Sequence, residues 1–93
     1  MKKIIVQFDI PKMTTDIYDK IWEDLRASGQ AQQKGRLYHF GSPNGDSGWW
    51  VTDVWESVES FQEFGNTLMP ILEKYGFADV KPNVMPLHFE QAG

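Results

Sequence analysis

The chain has 93 residues, a net charge of −4 and no cysteine, and this length favours one compact domain over residues 1–93. The acidic balance, without any basic stripe, argues against a nucleic-acid partner. Disulfide and thiol chemistry are excluded, and no apolar run approaches the about 20 residues of a membrane span, so we expect a cytoplasmic protein that does not bind membranes.

The first third of the sequence predicts a strand followed by a helix. Residues 3–9 alternate in the manner of a strand, and Pro11 ends it. Thr14 or Thr15 is predicted to cap the helix, and Gly29 marks its end. The apolar residues of this helix are expected on its buried face: Ile17, Tyr18, Ile21, Trp22 and Leu25.

Two strands, residues 36–41 and 49–55, are predicted to form a hairpin around a loop at residues 42–48. The second of these strands is rich in aromatic and β-branched residues, which fit a pleated and half-buried surface. Because both of its faces are apolar and a long helix follows it, it is predicted to be a central strand.

The pairing within this hairpin depends on the position of the loop. If the loop is centred near Gly45, the opposed pairs are His39 with Val51, Leu37 with Asp53 and Phe40 with Trp50. On this register Asp53 is the diagonal neighbour of His39 on the same face of the sheet. A slip of one residue would exchange the faces of the strand.

A long second helix is predicted over residues 58–75, where the apolar spacing changes from two residues to three and four. Ser57 is the expected N-cap and Gly76 the expected stop. Pro70 lies inside the pattern, so the helix should kink or split near Leu68.

Residues 79–90 supply the last strand, which Pro82 and Pro86 confine to a sheet edge or leave largely irregular. The order β-α-β-β-α-β predicts a ferredoxin-like α+β fold, a four-stranded antiparallel sheet with two helices on one face. The other face stays bare in a monomer, and four Trp, six Phe and three Tyr exceed what one small core encloses. We therefore expect a homodimer joined through the bare sheet face.

The segment DVWES at residues 53–57, followed by a helix carrying Phe61 and Phe64, resembles the antibiotic-biosynthesis monooxygenases of the dimeric α+β barrel superfamily. The LYH strand at residues 37–39 is similar to uncharacterised bacterial members. The likeness runs from Lys3 to about Phe89. It implies a dimeric α+β barrel, in a superfamily that includes cofactor-free oxygenases, heme-degrading enzymes, isomerases and decarboxylases. It also implies that the Trp of this motif packs in the core and that its Ser caps the helix.

The heme-degrading members of the superfamily resemble one another in an Asn on the first strand and a Trp and a His on the second helix. This chain has Gln7 near the first position and Phe64 near the second, and its second helix contains no His. We therefore do not expect heme degradation, and we expect no cofactor. The spacing of the two histidines in the chain does not make a metal motif.

His39 and Asp53 are the predicted catalytic pair. A carboxylate beside an imidazole fixes its tautomer and favours the protonated ring, which is how a general base is prepared. The alternative is a structural histidine bonded to Asp53 or to a backbone carbonyl. His88, on the last strand, is expected to be solvated or part of a dimer contact.

Several side chains are candidates for the walls of an aromatic pocket, although aromatic residues at such positions more often belong to a core. The predicted substrate-binding residues are Gln7, Trp22, Tyr38, Trp49 and Trp50.

Two functions fit these residues. By resemblance, the protein would bind a flat phenol or quinol and oxygenate it without a cofactor, with His39 taking the phenolic proton; an isomerase would use the same groups. The alternative is a non-catalytic dimer that binds a hydrophobic ligand or a protein. A cavity with His39 and Asp53 on its wall favours the first, and a filled core around His39 favours the second.

Overall fold

The architecture follows the predicted order of elements. The computed structural model describes residues 2–93 and contains β1 (Ile4–Ile10), α1 (Thr15–Ala27), β2 (Arg36–Pro43), β3 (Trp49–Trp55), α2 (Val58–Lys74) and β4 (Asn83–Pro86). All strand pairs are antiparallel, in the order β2-β3-β1-β4. The predicted ferredoxin-like α+β fold is confirmed, and β3 lies inside the sheet as its composition indicated.

Both helices begin at side chains that satisfy free backbone N–H groups. The Thr14 hydroxyl accepts a hydrogen bond from the Ile17 amide at 3.2 Å, and the Ser57 hydroxyl accepts one from the Ser60 amide at 3.2 Å. Gly29 follows α1 with a φ of 77°, which a glycine adopts without strain. Of the two residues predicted to cap α1, Thr14 and Thr15, Thr14 is the N-cap.

Two predicted elements differ in extent. Helix α2 is continuous through the exposed Pro70, and Leu72 in the turn after it is buried, with 3% of its surface exposed. Strand β4 has only four residues between Pro82 and Leu87, and it pairs at the edge with β1. The predicted split of the helix is therefore wrong, whereas the edge position of the last strand and the irregular course of most of residues 79–90 are confirmed.

The hairpin register differs from the prediction by two residues. Pro43 still pairs with Trp49, so the loop is shorter and is centred one residue later than expected. His39 therefore lies directly opposite Asp53, not Val51. Because side chains alternate with a period of two, this shift leaves His39 and Asp53 together on their predicted face.

The two faces of the sheet have different surroundings. The inner face packs on both helices, and its fully enclosed centre is Trp55, whose ring contacts Phe61 and Phe64 at centre distances of 5.8 and 5.4 Å. The outer face carries Tyr38, Phe40 and Trp50, with 53%, 60% and 45% of their surface exposed. Within residues 2–93, no helix is long and apolar enough to cross a membrane.

Candidate functional site

His39 and Asp53 form a hydrogen-bonded pair across β2 and β3. Their Nδ1 and Oδ1 atoms are 2.5 Å apart, and the Asp53 carboxylate is nearly enclosed. Its second oxygen accepts a bond from the Trp55 indole N–H at 3.3 Å. Because a carboxylate can only accept, the proton of the imidazole sits on Nδ1, and Nε2 is left as an acceptor.

That acceptor faces a tyrosine on α1. The Tyr18 hydroxyl lies 2.5 Å from His39 Nε2 and donates to it. Burial raises the pKa of the Tyr18 phenol above its ordinary value, so the hydroxyl keeps its proton at neutral pH. The result is a chain of hydrogen bonds from Tyr18 through His39 to Asp53 and Trp55.

Sequence reasoning placed Tyr18 on the apolar face of α1 and did not assign it to the site. A signal was present, because a phenol on a buried helix face needs a partner for its hydroxyl. Only the packing of α1 across the sheet reveals that the partner is His39. The same packing places the Trp22 ring edge-on to the imidazole, with centres 4.8 Å apart.

Gly41 on β2 makes room for this arrangement. A Cβ atom there would lie 2.6 Å from Tyr18 Cζ and 2.9 Å from Trp49 Nε1, which no side chain tolerates without movement. The Trp49 ring stacks on Tyr18 with centres 4.7 Å apart. Within the described part of the chain its indole N–H is buried without a hydrogen-bond partner, and such a group is available to a ligand oxygen.

A cavity of about 50 Å³ lies between the sheet and the helices. Its wall is almost entirely apolar, and its polar lining comes from Tyr18, Arg36, His39 and Asp53. A drug-sized ligand needs about 300–1,000 Å³. This cavity therefore has room for a molecule the size of water or dioxygen, but not for an aromatic ring system.

A larger groove of about 350 Å³ lies at the edge of β2. It is lined by residues of the connection before β2 and of β2 itself: Gln32, Gln33, Arg36, Leu37, Tyr38 and His39. His39 and Arg36 line both the groove and the inner cavity. A ligand in the groove would therefore lie against His39 and Arg36.

The predicted site residues fall into separate places. Trp22 lies on the cavity wall, and Tyr38 lines the groove. Trp50 and Gln7 lie on the outer face, where they pair with Asp9 and Thr52 of the neighbouring strands, so the structure does not bring them to His39. His88 is exposed beyond β4. Among residues 2–93, no group of three or more His, Cys, Asp or Glu side chains is placed to hold a metal ion.

No protein-family model and no curated protein matches this sequence. Solved structures match it in fold. A variant of SnoaB, a cofactor-independent oxygenase from Streptomyces nogalater, is 12% identical with a TM-score of 0.65 and covers 99% of this chain and 97% of its own. A proposed antibiotic-biosynthesis monooxygenase from Caulobacter crescentus is 15% identical with a TM-score of 0.67, covering 97% and 92%.

A heme-degrading protein from Mycobacterium tuberculosis also matches, with 15% identity, a TM-score of 0.62 and 100% of both chains covered. At these identities the likeness establishes the fold. The resemblance drawn from the DVWES segment is confirmed at that level. The chain therefore shares its ferredoxin-like α+β fold with these antibiotic-biosynthesis monooxygenase structures and with this heme-degrading protein.

Proposed function

We propose that the protein binds a flat phenol or quinol in the groove beside β2 and oxygenates it without a cofactor. The observation that carries this proposal is the chain of hydrogen bonds from Tyr18 through His39 to Asp53, in which His39 lines both a groove and an apolar cavity. The fold is shared with a cofactor-independent oxygenase, which is consistent with this chemistry.

The phenolic proton would pass to His39, whose positive charge Asp53 offsets. The para carbon of the phenolate would then bond to dioxygen, and the outer oxygen would take up the proton. Loss of water from this hydroperoxide breaks the para C–H and the O–O bonds. One oxygen atom ends in the quinone and the other in water.

The first test measures binding and dioxygen uptake with 1-naphthol. Because a ligand that binds only the folded state raises the melting temperature, we expect 1-naphthol to raise it. We also expect one dioxygen to be consumed for each 1,4-naphthoquinone formed. The control is 1-methoxynaphthalene, which has no phenolic proton and should not be oxidised. If 1-naphthol, other phenols and quinones neither raise the melting temperature nor react, the proposal is wrong.

The second candidate is a non-catalytic protein that binds a hydrophobic ligand. The small volume of the inner cavity favours it, because about 50 Å³ has no room for the ring of a substrate inside that cavity. Under this function, aromatic ligands raise the melting temperature and no dioxygen is consumed.

We also propose that the protein is a homodimer joined through the outer face of the sheet. Three large aromatic residues are exposed on that face, and the rings of Tyr38 and Phe40 lie parallel with centres 6.2 Å apart. Trp50 extends the same surface on β3. A second copy of this sheet would remove these rings from water.

Sedimentation at micromolar concentration should give the mass of two chains. Phe40→Glu places a charge in the expected interface and should shift the protein to one chain. Met69→Glu on α2 changes an exposed apolar residue of the helix layer and should leave the dimer intact. A wild-type protein that sediments as a monomer would show that the outer face is not an interface.

A further inference from the structure

Arg36 reaches the inner face of the sheet because of a β-bulge. In a regular strand, residues three positions apart point to opposite faces. The register of β2 shifts between Arg36 and Tyr38, so Arg36 pairs with Trp55 while His39 pairs with Asp53. Both partners are on the inner face, so the bulge places Arg36 and His39 on the same side.

The guanidinium of Arg36 is held in a fixed position. It lies over the rings of Trp22 and Phe64, at 5.1 and 5.6 Å from their centres. One nitrogen donates to the Ala31 carbonyl oxygen at 2.5 Å. Aromatic faces attract such a cation, and the carbonyl leaves most of its five N–H donors free.

No carboxylate neutralises this cation within residues 2–93, where the ion pairs involve other residues. Asp53 is the nearby acid, but its two oxygens are bonded to His39 and Trp55. Burial lowers the pKa of Arg36, and the charge of Asp53 opposes that effect. The guanidinium is therefore half-buried without an ion pair of its own, and a carboxylate beside it would be favourable.

The position of Arg36 indicates where such a partner would lie. Arg36 and His39 both line the groove at the edge of β2 and the inner cavity. A molecule in the groove that offers its hydroxyl to His39 would have a second group near Arg36. The fork of an arginine matches a carboxylate, which it binds through two parallel hydrogen bonds.

From this geometry we infer that the ligand of the groove is an aromatic acid, a phenol carrying a carboxylate that Arg36 binds. This inference rests on the proposed phenol site and adds the class of substrate. The net charge of the protein is −4, so its overall field repels anions. Any preference for the charged form of a ligand must therefore come from a local cation.

The test compares the three hydroxybenzoates with the three corresponding hydroxybenzamides, which keep the ring and the hydroxyl but carry no charge. Affinities are measured by titration, with the Arg36 side-chain Nε–H followed by NMR. At least one acid should bind about tenfold tighter than its amide or better, and should shift the Arg36 signal. The comparison in the wild-type protein needs no variant, so it decides the inference even if a substitution at Arg36 unfolds the chain.

Arg36→Gln should bring the ratio of the two affinities close to one, whereas Arg26→Gln, the same change at an exposed position of α1, should leave the ratio unchanged. Equal binding of every acid and its amide in the wild type, or a preference that survives Arg36→Gln, would overturn the inference.

Measurements of dioxygen uptake distinguish a failure of this inference from a failure of the proposed function. If the acids bind through Arg36 but no phenol is oxidised, the carboxylate subsite stands and the oxygenation is wrong. If phenols are oxidised without any preference for the acid, the oxygenation stands and the subsite is wrong.

Discussion

His39→Gln is expected to slow the oxidation of 1-naphthol by about 10²–10⁴-fold, the range that a positioned general base contributes. Glutamine can still accept a hydrogen bond from Tyr18 and donate one toward Asp53, but its amide cannot take up a proton. The substitution should therefore lower the turnover rate, while the affinity for 1-naphthol changes much less. Initial rates of dioxygen uptake over a range of substrate concentrations separate the two effects.

His88→Gln is the matched control, because His88 is the other histidine of the chain and lies exposed beyond β4. It should keep the full rate. Retention of the full rate in His39→Gln would assign His39 a structural role and remove the base from the proposed mechanism.

Trp55→Ala is expected to lower the free energy of unfolding by about 3–5 kcal/mol, the usual effect of emptying a large aromatic site in a core. The Trp55 side chain is fully buried between Phe61 and Phe64, and its indole N–H donates to Asp53. Alanine would leave a cavity and one oxygen of a buried carboxylate without its donor. Urea unfolding at a fixed protein concentration measures the loss.

Two comparisons interpret that value. Phe89→Ala also removes a large aromatic side chain, but that ring is 73% exposed beyond β4, so its removal should cost less than half as much. Ser57→Ala removes only the cap of α2 and should cost about 1 kcal/mol. If Trp55→Ala cost no more than these two, Trp55 would not be the centre of the inner core.

Sequence determined the features of this protein that depend on neighbours in the chain. Thr14 and Ser57 cap the helices because a cap bonds to an amide three residues away. The aromatic and β-branched run at residues 49–55 forms an inner strand because its side chains have to be buried on at least one face. The pairing of His39 with Asp53 on one face was also predictable, since the alternation of a strand survives a shift of two residues.

Tertiary structure decided how the site is assembled. The contact between Tyr18 and His39 depends on where α1 settles over the sheet, which no local spacing encodes. The bulge that brings Arg36 to the inner face depends on which residues of β2 pair with β3, a choice made by the packing of the whole sheet. Register and helix placement are set by many weak contacts between residues distant in sequence. The chain by itself therefore revealed the histidine and its carboxylate, whereas only the folded molecule showed the tyrosine and the arginine beside them.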